Sequence, residues 1–175
     1  MTAEFLIPAG WVSGTLMVPE SQSLADFLGV AGPFLKLADA RLPWSDKVVG
    51  FFALQRSSVG LIAPLGGGGE HVETAGGAGI TSPWSIACVF DQGMLHGRLD
   101  FLVNLRLSDY LLQQTGFLIV RTAVWEPLGP QAAGKAGQRW PVALINPLRV
   151  LGLVEGEQQR GGAHPGRLAP TEWDS

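Results

Sequence analysis

The feature that most constrains this chain is internal repetition: its first half is written again 83 residues further on. Gly10, Gly14, Leu16, Leu24, Asp26, Leu28, Phe34, Leu35 and Ala40 recur without a gap as Gly93, Gly97, Leu99, Leu107, Asp109, Leu111, Phe117, Leu118 and Ala123. After an interruption, Ala53-Leu54 and Val59 fall on Ala143-Leu144 and Val150. A unit of about 60 to 65 residues is marginally stable alone. The two copies are therefore expected to share a core.

Each copy opens with a hairpin signal. Glu4 to Pro8 and Trp11 to Val18 flank Ala9-Gly10, and Ser85 to Asp91 and Met94 to Leu102 flank Gln92-Gly93, which predicts a two-residue turn with glycine second. Beyond the turn, Val12, Gly14, Leu16 and Val18 alternate with Ser13, Thr15 and Met17, as Leu95, Gly97, Leu99 and Phe101 do with His96, Arg98 and Asp100. Period two with one polar face predicts half-buried antiparallel strands.

A short helix is predicted next, because Leu24, Phe27 and Leu28, like Leu107, Tyr110 and Leu111, form one apolar stripe. Asp26 and Asp109 fall in its first turn, where an acid favours the positive end of the helix dipole, and Ser23 has capping-box spacing from Asp26. The apolar runs that follow, Phe34 to Leu42 with Val48 to Leu54 and Phe117 to Trp125 with Trp140 to Ile145, read as strands buried on both faces or against the sister copy. A last strand at Val59 to Ala63, or at Val150 to Val154, closes the unit. Leu16, Leu28 and Phe34 are expected to share core positions with Leu99, Leu111 and Phe117.

Together these signals predict a mainly β (α+β) fold. Two pseudo-twofold related β-β-α-β-β-β repeats form small antiparallel sheets or barrels with one short helix each. Repeat 1 is placed at residues 1–64, a Gly-rich linker at 65–83, repeat 2 at 84–155 and a flexible tail at 156–175. Glu126 to Arg139 reads as a second long loop, inserted where the first copy has only Pro43 to Lys47.

The order of a Gly-x-Leu hairpin, Arg106-Leu107-Ser108-Asp109-Tyr110-Leu111, a Phe-Leu strand and a short apolar strand resembles a family of small, uncharacterised bacterial domains. The first copy keeps Leu24, Asp26 and Leu28 of that motif, with Ser23 in place of the arginine. The resemblance implies a β-rich fold and brings no catalytic residues with it.

Chemistry-bearing motifs are sparse. The run Gly66 to Gly69 leads into Glu70-His71-Val72-Glu73 and lacks the Lys-Ser or Lys-Thr of a phosphate-binding loop. His71 with Glu70 and Glu73 forms no structural zinc pattern, and no cofactor is expected. His96, Arg98 and Asp100 point to one side of a strand and read as a solvated, partly ion-paired face. Cys88, within the apolar run Ile86 to Phe90, reads as a small buried hydrophobe.

Charge and composition narrow the partners. A net charge of -3 with scattered Lys and Arg argues against nucleic acid. Met1 to Ile7 has no basic region, and Pro8, Gly10 and Gly14 break the apolar stretch that follows, so neither a signal peptide nor a transmembrane segment is read, and a cytoplasmic location is expected. Charged residues make up only 15 % of the chain, against roughly 25 % on average, which leaves apolar surface for a partner. Of Trp11, Trp44, Trp84, Trp125, Trp140 and Trp173, most fall at turns, strand ends or the tail, and Trp84, Trp140 and Trp173 are the candidate interaction residues. The expected function is a non-enzymatic accessory or scaffolding subunit docked on a larger protein complex. An extrinsic, cytoplasmic-side subunit of a membrane complex, such as a photosynthetic or respiratory one, fits that reading, with a ligand-binding or regulatory module at the inter-repeat cleft as the alternative.

Overall fold

A computed structural model describes residues 1–66, 72, 81–102, 106–114, 116–129 and 135–158. The first half comprises β1 (Thr2–Ile7), β2 (Gly10–Leu16), α1 (Leu24–Val30), β3 (Phe34–Leu42), β4 (Ser45–Gln55) and β5 (Leu61–Pro64). The second comprises β6 (Thr81–Phe90), β7 (Gly93–Leu102), α2 (Leu107–Gln113), β8 (Leu118–Pro127), β9 (Arg139–Ile145) and β10 (Gly152–Gln158). Short 3-10 turns at Arg56–Ser58 and Pro147–Arg149 lead into β5 and β10.

The strands form one open antiparallel sheet in the order β10-β6-β7-β8-β9-β5-β1-β2-β3-β4, where the sequence suggested separate small sheets or barrels. The halves meet where β9 pairs with β5, with Leu61 opposite Ile145 and Ile62 opposite Leu144. Around that junction the strands are buried on both faces, and alternation sends their side chains into two cores. Leu6, Leu61, Ala63, Trp140, Ala143 and Ile145 join the core of the second half, while Phe5, Ile7, Ile62, Val142 and Leu144 join that of the first. Val72, within the Gly-rich linker, is itself buried in the first core.

The same registers run through both halves. Phe5 opposite Val12 corresponds to Cys88 opposite Leu95, and Leu6 opposite Leu61 to Val89 opposite Gly152. Each second strand meets its third across a bulge, and the bulged residues Asp39 and Thr122 both adopt positive φ, 50° and 47°. Gly14 and Gly97 lie against those bulges. A Cβ on Gly97 would stand 2.9 Å from the Arg121 carbonyl oxygen, so the side chain is excluded by close approach of the neighbouring backbone.

Several expectations are corrected. Ile7 pairs with Gly10 and Phe90 with Gly93, so the turn residues are Pro8-Ala9 and Asp91-Gln92, and each glycine opens the returning strand. Only Gly10 has positive φ, at 125°; Gly93 is excluded from carrying a Cβ by the Trp125 ring and by the Glu126 oxygen, which would lie 2.6 Å away. Lys36 stands opposite Ala53 and Ile119 opposite Leu144, so Ala53 corresponds to Leu144, one residue beyond the match read from the sequence. That slip matters because it exchanges the two faces of the strand. Phe34 is exposed instead of buried, since β3 turns Leu35 and Leu37 inward. Most of β4 is exposed, because it is an edge strand with no neighbour beyond it.

The helices follow the apolar stripe. Ser23 caps α1, its hydroxyl accepting from the Asp26 backbone N–H at 3.0 Å and donating to the Asp26 carboxylate at 2.7 Å. Arg106 occupies the same position before α2 without a side-chain cap, so Asp109 contributes only its charge in the first turn.

Candidate functional site

The sequence names Trp84, Trp140 and Trp173 as interaction candidates; of the described tryptophans, Trp125 and Trp140 are buried and Trp11 and Trp84 half-buried. Trp125 is fully buried and Trp140 is 4 % exposed, since both strands that carry them lie inside the sheet. Trp11 packs edge-on to Trp125 at 5.4 Å between ring centroids and tilts over Trp140 at 5.7 Å. Lys135 lies over the Trp11 ring at 4.9 Å and forms an ion pair with Glu4, which also accepts from Gln138 at 3.2 Å. These contacts tie the loop before β9 to β1. Trp84 stacks on Phe101 at 5.3 Å and joins the second core. Among the interaction candidates, Trp140 thus lies in the second core, and Trp84 is half-buried against that core. Trp44 is exposed, and Trp173 lies outside the described residues.

Both open ends of the sheet carry exposed apolar surface. At one end, β3 and β4 present Phe34 and Phe51, the latter 62 % exposed, on one face beside the exposed Ala53, while Val48 is exposed on the other face of β4. Asp46 and Lys47 charge only the start of β4, so the stretch from Val48 to Leu54 lacks the charges that ordinarily protect an edge. At the other end, β10 exposes Val154, and Leu151 just precedes it. Beside β10 opens a mainly apolar cleft of about 490 Å³, lined by Leu111, Leu118, Val150 and Leu153 with the exposed Leu112 and Leu148 at its rim. The sequence signal for both ends was an apolar run with no charge, which alone does not separate a buried strand from an exposed edge.

A much smaller cavity lies where the halves meet. It is lined by Leu6, Ile7, Gly60, Phe90, Gln92 and Arg149 and measures about 30 Å³. That holds little more than a water molecule. Gln92 spans the boundary beside it, its side-chain amide donating to the carbonyls of Ile7 and Pro8 at 2.6 and 2.9 Å.

Titratable groups are engaged in ordinary structural pairs. His96 meets Glu126 at 3.2 Å and Asp100 accepts from Arg121 at 2.7 Å, so both side chains on that face of β7 engage neighbours on β8. Burial pushes the Cys88 thiol up to about 12, which removes the thiolate that nucleophilic or metal chemistry needs. Tyr110 is also raised, by burial first and by the nearby Asp100 second. Among the described residues no group of three His, Cys, Asp or Glu side chains converges on a metal-sized site; His71, Glu70 and Glu73 lie outside them. No described helix is long and apolar enough to cross a membrane.

Comparison with protein-family models, with curated proteins and with solved structures returns no match.

Proposed function

We propose that this protein is a non-enzymatic accessory or scaffolding subunit that docks through the open ends of its sheet. The observation that carries this reading is the pair of uncovered apolar edges: Val48 and Phe51 on β4, and Val154 beside the cleft at β10. An edge strand offers a row of unpaired backbone donors and acceptors, and flanking apolar side chains supply the buried area that makes strand addition favourable. The cavity described where the halves meet, about 30 Å³, is far smaller than a metabolite pocket and so lends no support to a ligand-binding module there.

The halves are read as copies of one β-β-α-β-β-β unit. Their shared registers support that, and the strand order favours a head-to-tail arrangement over a closed pseudo-twofold one. A closed arrangement would also pair β4 with β10, whereas these stand at opposite ends. The proposed setting is a larger protein complex on the cytoplasmic side, including a membrane-embedded host to which this chain is extrinsic.

Co-purification after mild extraction tests the docking reading. Phe51→Asp is expected to release the associated complex while leaving thermal unfolding of the free chain nearly unchanged, because the ring is exposed. Retention of the complex by the variant would contradict it.

A further inference from the structure

One end of this sheet is the counterpart of a surface that the chain itself already covers. In the first half, Leu28, Leu35, Val59 and Ile62 are fully buried or nearly so. Phe117, just before β8, with Ile119 of β8 and Val142 and Leu144 of β9, closes over that core from the second half. The corresponding residues of the second half are Leu111, Leu118, Val150 and Leu153, which line the open cleft beside β10. Nothing among the described residues closes over them as β8 and β9 close over the first core.

The covering surface has its counterpart too. Phe117, Val142 and Leu144 correspond in register to Phe34, Phe51 and Ala53, and these three are exposed on the outward face of β3 and β4. Thus the chain presents, at its two ends, the separated halves of an interface it forms once internally. The polar fittings correspond as well. At the junction Asn146 donates from its side chain to the Val59 carbonyl at 3.0 Å and from its backbone to the Gly60 carbonyl at 2.9 Å. Gln55, another side-chain amide, holds the position of Asn146 at the end of β4, one residue beyond Leu54 as Asn146 is beyond Ile145.

We propose that β4 of one copy of this chain adds antiparallel to β10 of a second copy, setting Phe51 and Ala53 into the second copy's cleft. This rests on the reading of the open edges as docking surfaces and names their partner. The internal junction fixes the register: Leu61 opposite Ile145 and Ile62 opposite Leu144 translate to Gly152 opposite Leu54 and Leu153 opposite Ala53. Because the two surfaces differ, the contact is heterologous, and each added copy offers a fresh end until a ring closes or a linear assembly grows.

Sedimentation velocity of the full chain, from about micromolar to about millimolar, tests the proposal with two variants that each block one end. Phe51→Asp disables β4, and Leu148→Asp puts charge at the cleft rim; both residues are exposed, so the fold is expected to tolerate them. Wild type should associate increasingly with concentration, each variant alone should remain monomeric, and an equimolar mixture should form a dimer that grows no further. If either variant unfolds, the readout becomes a disulfide between Ala53→Cys in one chain and Leu153→Cys in another, which should form readily in a mixture. Monomeric wild type throughout, self-association of Phe51→Asp equal to wild type, or no cross-link would overturn it. A monomeric wild type that still captures a host complex, lost on Phe51→Asp, would overturn self-pairing and leave the docking function standing.

Discussion

Ile62 stands opposite Leu144 where β5 meets β9, and both side chains are fully buried in a core whose other members come mainly from the first half. The first half therefore does not close its own core. Leu144→Ala is expected to cost about 2 to 5 kcal/mol, read by chemical denaturation. Residues 1–64 expressed alone should lack a cooperative transition, and a well-folded fragment would show that the halves are independent.

Two glycines should respond in opposite directions to alanine. At Gly97 the added Cβ would press on the Arg121 carbonyl and the Val120 side chain, so Gly97→Ala is expected to destabilise by about 1 to 3 kcal/mol. At Gly29, within α1, nothing lies within 4 Å of the new Cβ, and alanine should stabilise by about 0.5 to 1 kcal/mol. Thermal unfolding of both variants checks the contrast.

Why these positions were only partly legible follows from what a sequence pattern encodes. Alternation located β2 and β7 because each presents one buried and one polar face, as with Val12, Leu16, Leu95 and Leu99. The apolar runs of β4 and β9 look alike as sequence, yet β9 is enclosed and β4 is an edge, a difference made by the order of strands in the sheet and not by local composition. Phe34 and Phe117 are identical residues in matching positions, but only Phe117 has a neighbouring half to pack on. The packing of Trp11, Trp125 and Trp140 was hidden for a related reason: they lie near strand ends in sequence, while the fold brings their rings together.

Cys88 supplies a prediction about pH. The folded thiol is raised from its usual 9.0 to about 12 by burial, so between these values the unfolded chain loses a proton that the folded chain retains. Stability from this group is complete below pH 9 and declines as pH rises toward 12. Cys88→Ala should flatten that part of the stability profile. Native protein at pH 8 should resist thiol reagents until denaturant is added, and rapid labelling of the native thiol would refute the burial argument.

Trp140 and Phe51 should separate stability from docking. Trp140→Ala empties a core position and is expected to cost roughly 3 to 5 kcal/mol, whereas Trp140→Phe, which keeps most of the apolar volume, should retain partner binding. Binding by Trp140→Phe, compared with that of Phe51→Asp in the same assay, identifies which residue contacts the partner.

Hydrogen exchange of the edge amides, compared between the free and the associated protein, tests most directly whether the open ends of the sheet are its interaction surfaces. In the free chain the outer amides of β4 and β10 should exchange fast while those paired between β5 and β9 exchange slowly. On association, protection is expected to rise at Phe51 to Gln55, at Gly152 to Glu155, or at both, and to change little along β9. Protection that rises elsewhere and leaves both edges exchanging as before would contradict the assignment.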